Sequence, residues 1–119
     1  MPLRCFIVDD NASFLEAASS LLQQEGMTVL GVASTMADAL RQTQELRPDV
    51  VLVDIKLRNE SGFDLAQRLA EAHLGRVAVV LISTYAEADL ADLIEDAPVA
   101  GFVPKSELSA SAIQRLTGA

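Results

Sequence analysis

The chain has 119 residues, 50% of them hydrophobic, with a formal net charge of -8 and a single cysteine. This is the size of one domain, taken as residues 1–119, with enough apolar content for a core that needs no disulfide or metal staple. One cysteine excludes a disulfide framework, and Lys and Arg form no cluster that would neutralise nucleic-acid phosphates, so no direct nucleic-acid binding is expected. The longest apolar run, 77–82, is too short to cross a membrane, and Asp9 and Asp10 interrupt the first run before it could serve as a secretory signal. A cytoplasmic protein without membrane contact is the expectation.

Residues 3–8 read as a first strand running into Asp9, Asp10 and Asn11. A helix follows, with Phe14, Ala17, Ala18, Leu21 and Leu22 at helical spacing and Gly26 as the glycine that ends it. The second strand is predicted over 27–33. Met36, Ala39, Leu40 and Thr43 repeat the helical pattern, and Pro48 closes that helix. Residues 50–53 form a continuous apolar run, as a parallel strand buried on both faces requires, and it ends at Asp54. Phe63, Ala66, Leu69 and Ala70 mark a third helix. Strand four, 77–82, ends at Ser83 and Thr84, with Thr84 and Glu87 in the form of a capping box for a fourth helix. Strand five, 99–103, leads to Pro104 and Lys105, and Ser106 is placed as the N-cap of the last helix. Strict alternation of strand and helix predicts a three-layer α/β/α sandwich around a five-stranded parallel sheet with five helices.

In open sheets of this kind, ligands bind beyond the carboxyl ends of the strands. The residues at those ends are Asp9, Asp10, Asp54, Ser83 and Lys105. If strands one and three are neighbours, three carboxylates converge, and their repulsion calls for a cation. Oxygen ligands with room for water suit Mg²⁺, and no Cys/His set for zinc exists. A metal and the Lys105 ammonium would leave a pocket for phosphoryl oxygens, where an aspartate can act as nucleophile.

The pattern Asp9-Asp10, Asp54, Ser83 and Lys105, with Gly62 at its distance after Asp54, resembles the receiver domain of two-component response regulators over essentially the whole chain. The resemblance implies a flavodoxin-like sheet of order 2-1-3-4-5 and transfer of a phosphoryl group from a sensor histidine kinase or histidine phosphotransferase to Asp54. It further implies Mg²⁺ on Asp10, Asp54 and the backbone carbonyl of Lys56, with Asp9 acting mainly through water. Ser83 and Lys105 would bind phosphoryl oxygens, Phe102 would hold the aromatic switch position, and the surface of helix four, strand five and helix five would change. A downstream protein target, or an output domain outside this sequence, would read that surface. The segment 101–108 is similar to receivers joined to helix-turn-helix output domains, and a stand-alone receiver and an excised one both stay open.

Several residues depart from the common pattern. Arg58 stands where similar loops carry Pro, Ser106 follows Lys105 where many carry Pro, and Thr84 and Tyr85 are bulky enough to narrow access to Asp54. Position 56 tunes phosphate lifetime in this family, and a lysine there leads to an expectation of slow autodephosphorylation. Phe102 lacks a hydroxyl, so a switch by tyrosine hydrogen bonding is excluded. Helix four carries Glu87, Asp89, Asp92, Glu95 and Asp96, an acidic face that lacks the basic partners of one familiar receiver dimer. Cys5 reads as a small core residue and His73, the one histidine, as an exposed helix-end residue that nothing pairs with a nucleophile or metal. Two other readings compete. A receiver-like module could signal by protein contacts without phosphorylation. An Mg²⁺-dependent phosphohydrolase with an Asp nucleophile would want a second Asp at position 56, where this chain has Lys. A phosphoacceptor rather than an enzyme is therefore expected.

Overall fold

The computed structural model describes residues 2–73, 75–84 and 91–118. Its strands are β1 (Arg4–Val8), β2 (Thr28–Ala33), β3 (Val50–Asp54), β4 (Lys56–Leu57), β5 (Glu60–Ser61), β6 (Ala78–Ser83) and β7 (Gly101–Pro104). The helices are α1 (Ala12–Gln24), α2 (Met36–Leu46), α3 (Gly62–Ala72), α4 (Ala91–Glu95) and α5 (Ala110–Thr117). β2, β1, β3, β6 and β7 form one sheet in that order, every pair parallel. Counting these five strands along the chain gives the order 2-1-3-4-5 expected from the resemblance. β4 and β5 form a separate antiparallel ribbon, which periodicity did not reveal.

Alternation along the strands divides the core in two. Ile7, Leu52, Val80, Ile82 and Val103 face the layer of α1 and α5, where Leu15, Ala18, Leu22 and Ile113 pack on them. Phe6, Val8, Val51, Val53 and Leu81 face α2 and α3, against Ala39, Leu65, Ala66 and Leu69. All five residues of β3 are buried, so the central strand is pinned from both sides. Each fully buried Leu, Ile or Phe contributes about 1.5–3 kcal/mol of transfer free energy, which fixes register because a slip by one residue would turn the strand inside out.

Helix starts follow capping chemistry. The side chains of Asn11, Thr35, Ser61 and Ser109 accept from the amides of Phe14, Asp38, Phe63 and Ala112 respectively. Ser109 thus replaces the expected Ser106, which lies inside a short 3-10 turn, Lys105–Glu107, that delays the start of α5. Gly26 follows α1 with φ +95, as expected of the helix-ending glycine. The buried stripe of α1 is Leu15, Ala18 and Leu22 rather than one led by Phe14, and Ala17 and Leu21 are exposed. His73 also corrects the sequence reading: it is half-buried at the end of α3, its Nε2 lying 3.4 Å from Thr43 Oγ1 across the α2–α3 groove. Tyr85, Glu87 and Asp89 lie outside the described residues, and with them the Thr84–Glu87 capping box.

The ribbon that follows β3 doubles the chain back to its own start. Gly62 N–H donates to the Ile55 carbonyl at 2.8 Å. A Cβ on Gly62 would stand 2.1 Å from the Asp54 carbonyl oxygen and 2.8 Å from Ile55 Cα. Both obstacles are backbone, so nothing flexible can yield. Gly62→Ala is expected to destabilise the fold by at least about 2 kcal/mol, read as a lowered urea midpoint at unchanged m-value.

Candidate functional site

β1 and β3 are neighbours, so their carboxyl ends open side by side. Asp9 is the residue directly after β1. Its amide donates to the Ala33 carbonyl at 3.0 Å, it is fully buried, and its Oδ1 accepts from the Asn11 amide at 2.9 Å. Asp54 ends β3 with 8% exposure, and its Oδ1 accepts from the Lys56 amide at 3.3 Å. Asp10 is half-buried between them and solvent. One carboxylate oxygen from each of Asp9, Asp10 and Asp54 falls within a 4.8 Å set.

Lys105 reaches this cluster from the turn after β7. Its Nζ lies 2.6 Å from Asp9 Oδ2 and 3.2 Å from Asp54 Oδ2. The latter is an aligned hydrogen bond; the former is a charge contact without hydrogen-bond alignment, so the buried Asp9 Oδ2 keeps unused acceptor capacity. Phe14, which packs against the core as its place in the α1 stripe suggests, also lies beneath this ammonium, its ring centre 4.4 Å from Nζ. Ser83 ends β6, 2% exposed, in register with Pro104 on β7. Phe102 is buried on β7 among the α2–α3-side core and pairs with Leu81. The Lys56 side chain is exposed.

Electrostatics follow from this geometry. Burial raises the Asp54 carboxyl above its ordinary range, and the charge of Asp9 raises it further, against the opposing pull of Lys105. For Lys105, burial favours loss of the proton, but its close pairing with Asp9 and the charges of Asp54 and Asp9 outweigh it, and the ammonium is held above its usual range. Three carboxylates facing one ammonium leave an excess of negative charge. That excess and the hard oxygen donors fit Mg²⁺. The other ligand types lie elsewhere: Cys5 is sealed in the core, its thiol pushed up to about 11 by burial, and His73 sits in the α2–α3 groove, its pKa lowered by burial and by Arg47. The sequence thus anticipates the convergence of Asp9, Asp10, Asp54 and Lys105. It missed a contact between Arg58 and Asp10, with Nε 3.8 Å from Oδ2, for which the only signal was a cation beside an acidic pocket.

Comparison with known proteins agrees with this geometry. Residues 5–117 match the response regulator receiver domain family. The chain is 24% identical over 127 residues to the transcriptional regulatory protein PdtaR of Mycobacterium tuberculosis, covering 98% of this chain and 61% of that protein. It is 27% identical to the response regulator GacA of Pseudomonas viridiflava, covering 96% of this chain and 53% of that protein. The chain therefore spans little more than half the length of these relatives. In fold it is similar to a LuxR-family two-component response regulator from Aurantimonas sp. SI85-9A1, with a TM-score of 0.85, 24% identity, and 99% and 87% of the two chains covered. It is also similar in fold to the response regulator domain of Thermotoga maritima CheB, with a TM-score of 0.83, 19% identity, and 100% and 96% covered. The chain belongs to the response regulator receiver domain family, the signalling phosphoacceptors of two-component systems. Among the described residues, no helix is long and apolar enough to cross a membrane.

The raised Asp54 carboxyl has a consequence for stability. An acid that holds its proton more tightly when folded opposes folding once ionised; the penalty is full above the folded pKa and disappears below the unfolded value near 3.8. Without divalent cations, Asp54→Asn is expected to raise Tm at pH 7.5, and the gap to wild type should close as pH falls toward 4 in a calorimetric pH series.

Proposed function

We propose that Asp54 is the phosphoacceptor of this receiver, taking a phosphoryl group from the phosphohistidine of a sensor histidine kinase or histidine phosphotransferase. The observation that carries the reading is the Lys105 ammonium, 2.6 Å from Asp9 and 3.2 Å from Asp54, in a cluster of three carboxylates at adjacent strand ends. A carboxylate oxygen of Asp54 attacks phosphorus, the phosphorus–nitrogen bond breaks, and its electron pair leaves on the imidazole nitrogen, which takes up a proton. Asp10, Asp54 and the Lys56 carbonyl would hold Mg²⁺, with Asp9 acting mainly through water, and the bound ion would supply positive charge to the phosphoryl oxygens.

The protein's own groups do the remaining work. Lys105 neutralises negative charge as it builds on the acceptor side, and its position needs no reorganisation because Asp9 and Phe14 hold it. Burial of Asp54 removes competing water, and the raised pKa marks a carboxylate poorly solvated and so reactive once the cation is present. Ser83, beside Asp54 on the next strand, donates its hydroxyl to the phosphoryl group. Phe102, two residues upstream of Pro104, the register partner of Ser83, repacks with it, and the α4–β7–α5 surface shifts between two conformers. That surface addresses a downstream protein or an output domain. The exposed acids Asp92, Glu95 and Asp96 around α4 would bias it toward a basic partner.

Incubation with Mg²⁺ and a phosphorylated kinase or a small phosphodonor should give a base-labile phosphate that Asp54→Asn abolishes. Label surviving in Asp54→Asn would move the acceptor. Label from no donor would leave a receiver that signals by protein contacts alone, and continuous turnover of phosphate esters would mean a hydrolase. Lys56 is exposed next to Asp54, where its cation would steady the phosphoryl group or hinder an attacking water. Lys56→Asn should therefore shorten the lifetime of the phosphorylated protein several-fold in a decay time course, and an unchanged decay would remove Lys56 from the account.

A further inference from the structure

We infer that Arg58 is a built-in competitor for the metal site: its guanidinium occupies Asp10 in the cation-free protein and lowers affinity for Mg²⁺. The inference rests on the reading of Asp9, Asp10 and Asp54 as the Mg²⁺ pocket. Arg58 is the first residue of the two-residue turn that joins β4 to β5. It has φ +51, in the left-handed region that non-glycine residues seldom take. A proline, confined to φ near −65°, could not adopt it. The cation therefore comes with a backbone conformation that the common residue at this position cannot share.

The ribbon holds that turn in place. Leu57 is 1% exposed and anchors it in the core, the Glu60 Oε1 accepts from the Met36 amide at 2.9 Å, and Gly62 ties its far end to Ile55. From there the Arg58 side chain lines the cavity that also holds Asp10, Ser34, Thr35 and Asp38. The acids around Arg58 are not equally available. Asp38 is paired with Arg41 and also accepts from Gln42, and Glu60 is committed to the α2 amide. Asp10 is the carboxylate that Arg58 contacts, Nε to Oδ2 at 3.8 Å.

Charge balance gives the contact its effect. Asp9, Asp10 and Asp54 face one ammonium from Lys105, and Arg58 cancels a further charge, leaving the pocket with one formal negative charge where it would otherwise have two. A dication entering the pocket meets a weaker field and must displace the guanidinium from one of its ligands. Arg58 is 79% exposed, so it leaves at small cost and the competition is correspondingly mild.

Magnesium titrations by calorimetry, with the Mg²⁺-dependent rise in Tm as a second readout, test this on wild type, Arg58→Gln and Arg58→Lys. Arg58→Gln should bind Mg²⁺ about two- to fivefold more tightly at low salt, the range expected of one exposed charge pair. Arg58→Lys should stay near wild type, and the difference should shrink at about 0.3 M salt as screening removes it. Equal affinity of wild type and Arg58→Gln would overturn the inference while leaving the pocket intact. Absence of Mg²⁺ binding in all three proteins would overturn the pocket and the inference together.

Discussion

The contact between Lys105 and two buried carboxylates is the constraint around which the rest of this molecule is arranged. Asp9 is wholly buried and Asp54 nearly so, and the charge of Asp9 raises the cost of ionising Asp54. A buried charge stripped of its partner costs about 3–5 kcal/mol. The ammonium, 14% exposed and reaching from the opposite end of the sheet order, is what makes the pair tolerable. Three strands must therefore arrive in register, since β1 carries Asp9, β3 carries Asp54 and β7 delivers Lys105. The apolar stacks on both faces of β1 and β3 supply the stability that the site consumes.

This division explains which parts of the structure were legible in the sequence. Continuous burial writes itself as unbroken Val, Leu and Ile, so β3 and β6 were readable, and the acids at their ends stood out against them. The order of the strands came from resemblance, because alternation alone does not say which strands are neighbours. Features set by contacts across the chain left no periodic trace. The β4–β5 ribbon has two residues per strand, too few for any pattern. Phe14 packs against the core as its stripe position suggests, but it also serves under the Lys105 ammonium, a role that only the arrival of β7 creates. His73 looked solitary because its neighbour, Thr43, belongs to another helix. Ser106 and Ser109 are equally good caps on paper, and the intervening 3-10 turn decides between them.

The same turn has a mechanical meaning. Because the chain after Lys105 coils at once, the lysine backbone is fixed at the mouth of the sheet rather than carried off on α5. A remote acid then secures the helix: Glu25 Oε1, just beyond α1, accepts from the Ala110 amide at 2.7 Å. Glu60 does the equivalent for α2. Carboxylates from outside thus cap two helix N-termini, where the helix dipole favours negative charge. In a chain with a net charge of -8, this lodges acids where they stabilise the fold rather than repel.

These braces are unevenly distributed around Asp54, and the unevenness bears on how a phosphoryl group could be sensed. On the β1 side the acceptor is enclosed by fully buried strand residues, the Leu57 anchor and the closed backbone loop from Ile55 to Gly62. On the other side α4 has no buried residue over Ala91–Glu95, and Leu93 is 57% exposed. Elements with few buried contacts open at lower free energy than the core they rest on. A new group on Asp54 cannot move β1 or the ribbon without breaking packed apolar contacts. If Asp54 is the acceptor, as proposed, displacement would fall toward Ser83 and Phe102 on β6 and β7.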